Sequence, residues 1–151
     1  MAKDDFLKGL MSWIGTPFGL EGHKKGVNTN CSRFVLDSLE QSTTNVQALN
    51  TFSQLLQIRN SSVNAETIDY IISQLRTICT TITVDEMDAG DVILIVVTSR
   101  LRSILALAVA INSREIIYCH SHQGVIIGQL TKSMLSNIKE CFRFLIWEEN
   151  T

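Results

Sequence analysis

Gly15-Thr16-Pro17-Phe18, followed at a short interval by Gly26-Val27-Asn28-Thr29-Asn30-Cys31-Ser32-Arg33-Phe34-Val35, is the stretch whose reading decides the fold. Glycine, threonine and asparagine hold these residues out of regular structure until Cys31. From there Phe34, Val35 and Leu39 recur at helical spacing. Asn28 or Asn30 can cap the helix they predict, over about residues 31–39. A thiol in the first turn of a helix lies at the positive end of the helix dipole, which favours the nucleophilic thiolate. Cys31 is therefore a candidate nucleophile, and the rest of the chain decides whether a site forms around it.

Working outward, Phe6, Leu7, Leu10, Met11 and Ile14 share one helical face over residues 3–14, and Gly15 and Pro17 end that helix. Residues 43–76 keep helical spacing, interrupted near Asn60-Ser61-Ser62, with Asn64 as a cap for the second piece. From residue 78 the pattern turns to β. A threonine-rich segment carries Ile78, Ile82 and Val84, and Asp88-Ala89-Gly90-Asp91 makes a turn. Strands are expected at residues 92–97, 104–111, 115–120, 124–127 and 141–147, with a short helix near 132–136. Helices first and an antiparallel strand run after them predict an α+β fold. N-terminal helices would pack on a C-terminal antiparallel sheet of about five strands, in a single domain over residues 1–151.

Composition narrows the function. The chain has 151 residues, 45% hydrophobic and 19% charged, with a net charge of −2, which excludes a disordered chain. It carries no basic stripe with interleaved aromatics, so no nucleic-acid partner is expected. The longest apolar run, residues 104–111, is too short for a membrane span. The N-terminus shows no secretory signal, so the expected setting is the cytoplasm at synthesis, with reduced thiols. The four cysteines lack the paired spacing of a zinc site. Cys119, His120 and His122 alternate faces along a strand and cannot converge, so no metal or cofactor is expected. Cys79 and Cys141 read as small buried hydrophobes, and Asp88 and Asp91 as turn residues.

A cysteine at a helix start followed by a sheet is the arrangement of papain-like thiol enzymes, in which the sheet supplies the base. Here the chain resembles the NlpC-type cell-wall cysteine peptidases, in the short form found in phage tails and gene transfer agents. Trp13-Ile14-Gly15-Thr16-Pro17-Phe18 resembles the family's opening W-x-G-T-P-Y, and Asn30-Cys31-Ser32-Arg33-Phe34-Val35 its D-C-S-G-L-V. Asp88-Ala89-Gly90-Asp91-Val92-Ile93 resembles the glycine–aspartate turn that opens a strand. Ile116-Ile117-Tyr118, Gly124-Val125 and Phe142-Arg143-Phe144 resemble the phage-type ending. The resemblance implies hydrolysis of peptidoglycan stem peptides, with Cys31 as nucleophile and peptidoglycan or phage-tail proteins as partners.

The departures fall on the chemistry. The family's catalytic histidine, at the head of the strand after the glycine–aspartate turn, matches Ala106. Its third polar residue matches Tyr118, and the tyrosine of the opening motif is Phe18. The glycine after Cys-Ser is Arg33. If Tyr118 faces Cys31, alternation brings His120 to the same face as a displaced base; His23 lies in the loop before Cys31. The expected function is that of an NlpC-type homologue that retains Cys31 but lacks its histidine. Such a chain is catalytically impaired and serves as a structural or binding module of a phage-like tail, with possible virion association. Two alternatives remain: an active peptidase using Cys31 with His120, and a small α+β interaction protein with an incidental thiol.

Overall fold

The apolar spacing of the first half and the alternation of the second are realised as separate layers. A computed structural model describes residues 2–19, 24–55, 64–98 and 103–148. Four helices come first: α1 (Ala2–Met11), α2 (Arg33–Ser42), α3 (Val46–Leu55) and α4 (Ala65–Leu75). Six strands follow: β1 (Cys79–Ile82), β2 (Val92–Thr98), β3 (Ser103–Ala110), β4 (Glu115–His120), β5 (Gly124–Gln129) and β6 (Ile138–Phe144). A short helix, α5 (Lys132–Asn137), precedes β6. The sheet has the order β1-β6-β2-β3-β4-β5, every pairing antiparallel. The α+β expectation holds, with six strands where about five were expected. The added strand is the threonine-rich β1, which pairs Cys79 with Phe144 and Ile82 with Cys141 at the sheet edge. The last strand also starts three residues early, at Ile138, and ends at Phe144, after which Leu145–Trp147 form a 3-10 turn. Residues 60–62, where the helical stretch was expected to break, lie outside the described residues.

Period-two alternation sorts the strands between two cores. Val92 and Leu94 of β2, Leu107 and Val109 of β3, Ile117 of β4, Val125 of β5, and Phe142 and Phe144 of β6 join the helices. On that side they meet Phe6, Leu10, Trp13, Phe34, Leu39, Phe52, Ile71 and Leu75. Ile93, Ile95, Ala108, Ala110, Ile116 and Cys141 point to the other face, where Met87 and Met134 of α5 cover them. β3, read as apolar on both faces, is buried on both. The helix caps follow the sequence: the Asn64 side chain accepts from Thr67 N at 2.8 Å, and the Thr131 hydroxyl from Met134 N at 3.1 Å.

Asp91 closes the glycine–aspartate turn and is 1% exposed. A buried carboxylate needs a partner. Arg143 supplies two parallel bonds, Nε to Oδ1 at 3.0 Å and Nη2 to Oδ2 at 2.9 Å, and Asp88 N donates to Oδ2 at 2.8 Å. The pair ties the start of β2 to β6. Gly90 enters the turn at φ +91°, a conformation open to glycine at little cost.

Burial also makes the fold sensitive to alkali. The Cys141 thiol is pushed up to about 11, mainly by burial and then by the charges of Asp91 and Glu140; Cys79 is raised in the same direction, first by burial. An unfolded cysteine titrates near ~8.5, so above that pH the unfolded chain releases these protons first and folding stability falls. Thermal melts should therefore lose stability from about pH 8.5 to about pH 11. Cys141→Ala should start lower but fall less steeply over that range; an unchanged slope would remove Cys141 from the account.

Candidate functional site

The loop that carries Cys31 is fixed at both ends by backbone hydrogen bonds. Trp13 is buried, and Lys25 Nζ stands 5.5 Å from its ring centroid. Gly15 N donates to Val125 O at 2.9 Å and Val125 N to Thr16 O at 2.9 Å, so the opening motif pairs with the start of β5. Gly26 N donates to the Thr16 hydroxyl at 3.1 Å, folding the second half of the loop over the first. Thr29 N donates to Pro17 O at 2.9 Å and Gly19 N to Thr29 O at 2.8 Å, which sets Phe18 beside Thr29. Gly124 is required at this seam. Its φ is +75°, and a Cβ there would collide with the Thr16 carbonyl and lie 3.0 Å from Pro17 Cα.

The helix behind the cysteine starts earlier than its regular span. Phe34 N donates to Asn30 O at 3.4 Å, and the Asn30 side chain accepts from Arg33 N at 3.0 Å and from the Ser32 hydroxyl at 3.2 Å. Asn30, 3% exposed, is therefore the working cap, one of the two expected from the sequence, and Cys31 occupies the first turn. Cys31 is half-buried. Arg33, where the family has glycine, pairs with Asp37 one turn on at 3.3 Å.

Strand parity decides what meets this thiol. Tyr118, the position matched to the third polar residue, packs on the far core with Ala106, the position matched to the histidine. Both sit on the face away from the helices. The helix-facing residue at that level of β4 is Cys119, whose Sγ lies 3.7 Å from Thr29 O. β3 pairs with β4 through Val109↔Ile117 and Ala110↔Ile116. Continued by two residues, that register sets Leu107 beside Cys119, and Leu107 is 3% exposed in the helix-side core. The helix-side face of the sheet carries Leu107 and Cys119, and Cys119 was not expected beside the Cys31 loop because its flanking pattern reads as a strand end. Its signal was the alternation itself, taken from Ile117 rather than from Tyr118.

The expectation that His120 shares a face with Cys31 is corrected by the same parity. His120 follows Tyr118, ring centroids 6.4 Å apart, on the far face. Its Nδ1 accepts from His122 N at 3.0 Å and from Gln123 N at 3.2 Å, closing the β4–β5 turn, and His122 lies 5.9 Å away ring to ring. His23 lies outside the described residues. Phe18 is 37% exposed and brings no hydroxyl to the loop. Among the described residues two thiols lie near each other in unlike surroundings: Cys31 at the helix start, and Cys119 pushed up to about 11, first by burial and then by the charge on Cys31. Among the described residues no cluster of three or more metal-ligating side chains occurs, and no helix is long and apolar enough to cross a membrane. A polar cavity of about 490 Å³ lies elsewhere, between Glu40–Asn45 and Ile146–Trp147, with neither cysteine nor histidine in its lining.

No protein-family model matches the chain, and no curated protein sequence matches it. Solved structures do. A Staphylococcus aureus Mu50 protein described as similar to a lipoprotein of the NLP/P60 family superposes with a TM-score of 0.58 at 15% identity, over 95% of this chain and 41% of its own. An NlpC/P60 family protein from Bacillus cereus ATCC 10987 gives a TM-score of 0.57 at 17% identity, over 96% of this chain and 41% of its own. The chain thus spans about two-fifths of the length of these proteins. Its fold is the NlpC/P60 fold.

Proposed function

We propose that this chain is an NlpC-type domain that has lost peptide hydrolysis and acts as a structural or binding module, recognising peptidoglycan peptides or neighbouring proteins of a phage-like tail. One observation supports the reading: the helix-side face of the sheet carries Leu107 and Cys119, and the Cys119 sulfur lies against Thr29 of the Cys31 loop. Neither Leu107 nor Cys119 can act as the imidazole base that raises the thiolate fraction of a catalytic cysteine. Neither can supply an imidazolium to protonate a departing amine, and general acid–base help is worth roughly 10²–10⁴ in rate. His120 does not favour the displaced-base reading, since its Nδ1 is engaged in the turn. The tail assignment draws on the short phage-type sequence pattern, and the capped loop gives such a module a rigid recognition edge.

Purified protein should co-sediment with peptidoglycan sacculi, or with its tail partner, and release no soluble stem-peptide fragments. Digestion that disappears in Cys31→Ala would overturn the reading. Leu107→His should return an imidazole to the loop-facing side of the sheet and raise iodoacetamide alkylation of Cys31 at pH 7 about tenfold through thiolate formation. An unchanged rate in a folded Leu107→His protein would show that an imidazole on this side of the sheet does not activate the thiol. Gly124→Ala should loosen the loop from β5 and cost about 1–3 kcal/mol in urea unfolding. A loss below a few tenths would mean that the seam yields without strain.

A further inference from the structure

Four cysteines, none in a disulfide, are distributed unevenly through the fold. Cys79 and Cys141 are buried, at 4% and 2% exposure, whereas Cys31 and Cys119 are both half-buried. The Cys119 Sγ contact with Thr29 O places that sulfur against the loop two residues before Cys31. We infer that Cys31 and Cys119 form an oxidation site, in which Cys31 reacts with a hydroperoxide and Cys119 resolves the product as a reversible intramolecular disulfide.

The environments assign the roles. Cys31 sits in the first turn of a helix capped by Asn30, where the dipole favours the thiolate. Cys119 is held as the thiol by burial and by the neighbouring charge of Cys31. The Cys31 thiolate attacks one oxygen of the hydroperoxide. The O–O bond breaks, the other oxygen leaves as hydroxide or alkoxide and takes up a proton, and Cys31 becomes a sulfenic acid. The Cys119 sulfur then attacks the Cys31 sulfur. The S–O bond breaks, water leaves with the Cys119 proton, and an S–S bond forms. The two thiols together give up two electrons and two protons, and the hydroperoxide is reduced to water or to water and an alcohol. A dithiol reductant reverses the step. This chemistry needs no imidazole and is independent of whether the domain hydrolyses peptides.

Treating the reduced full chain with hydrogen peroxide tests the assignment. Titratable thiols should fall from four to two, and peptide mapping without reductant should show one link, Cys31 to Cys119, removed by dithiothreitol. Cys119→Ser should accumulate a dimedone-reactive sulfenic acid at Cys31 and form no internal link. Cys31→Ser should leave Cys119 in its thiol form at the same dose. The inference is overturned if both cysteines stay alkylatable after peroxide, if the link involves Cys79 or Cys141, or if Cys31 bridges only between molecules.

Discussion

The exchange of backbone hydrogen bonds between Gly15-Thr16 and Val125 is the constraint on which the site depends. It ties the start of the Cys31 loop to the start of β5 and sets how far the loop reaches over the sheet. Every later contact inherits that placement: Gly26 on Thr16, Thr29 on Pro17, and Cys119 on Thr29. The seam accepts only glycine at position 124, because backbone approaches backbone there with no space for a Cβ. A loop held this way has less freedom to lose when it meets a ligand.

The sheet is organised by a second buried contact of a different kind. Asp91 and Arg143 join the glycine–aspartate turn to β6, and an isolated charge at that depth would be costly. Two parallel bonds and the Asp88 amide satisfy both carboxylate oxygens. The pair fixes where β2 begins. Through the β2–β3 register, Val92 opposite Val109, it fixes which residues of β3 face the helices. Which residues of β3 meet the helix layer is therefore tied to a salt bridge on a different part of the sheet.

Much of this was legible in the sequence. Helical spacing of apolar residues located α1, α2 and α4, and the capping roles of Asn30 and Asn64 follow from side-chain chemistry that acts within three residues. Strand positions were legible too, since Val, Ile and Thr cluster where the sheet forms. Strand facing was not. β3 is apolar at every position from Leu105 to Ala110, so its sequence carries no alternation to show which side points at the helices. A one-residue slip exchanges the two faces completely, and here Leu107 and Cys119 face the helices while Ala106 and Tyr118 face the other side. β1 was undercounted because an edge strand of four residues, with two exposed threonines, has the composition of a loop.

Correcting the facing changes what the site means chemically. With Tyr118 opposite Cys31, the thiol would have met a phenol and, beyond it, a histidine. With Cys119 on the helix side, the Cys31 loop meets a second sulfur. A buried leucine cannot move a proton, and a thiol held up to about 11 is a poor base at neutral pH. Cys31 and Cys119 are like groups in unlike surroundings: one at a helix start, the other with its thiol held up by burial. Where two titratable groups are separated in this way, the environment assigns donor and acceptor roles. For two sulfurs that division suits attack by one and resolution by the other, with the Thr29 contact holding the second beside the loop of the first.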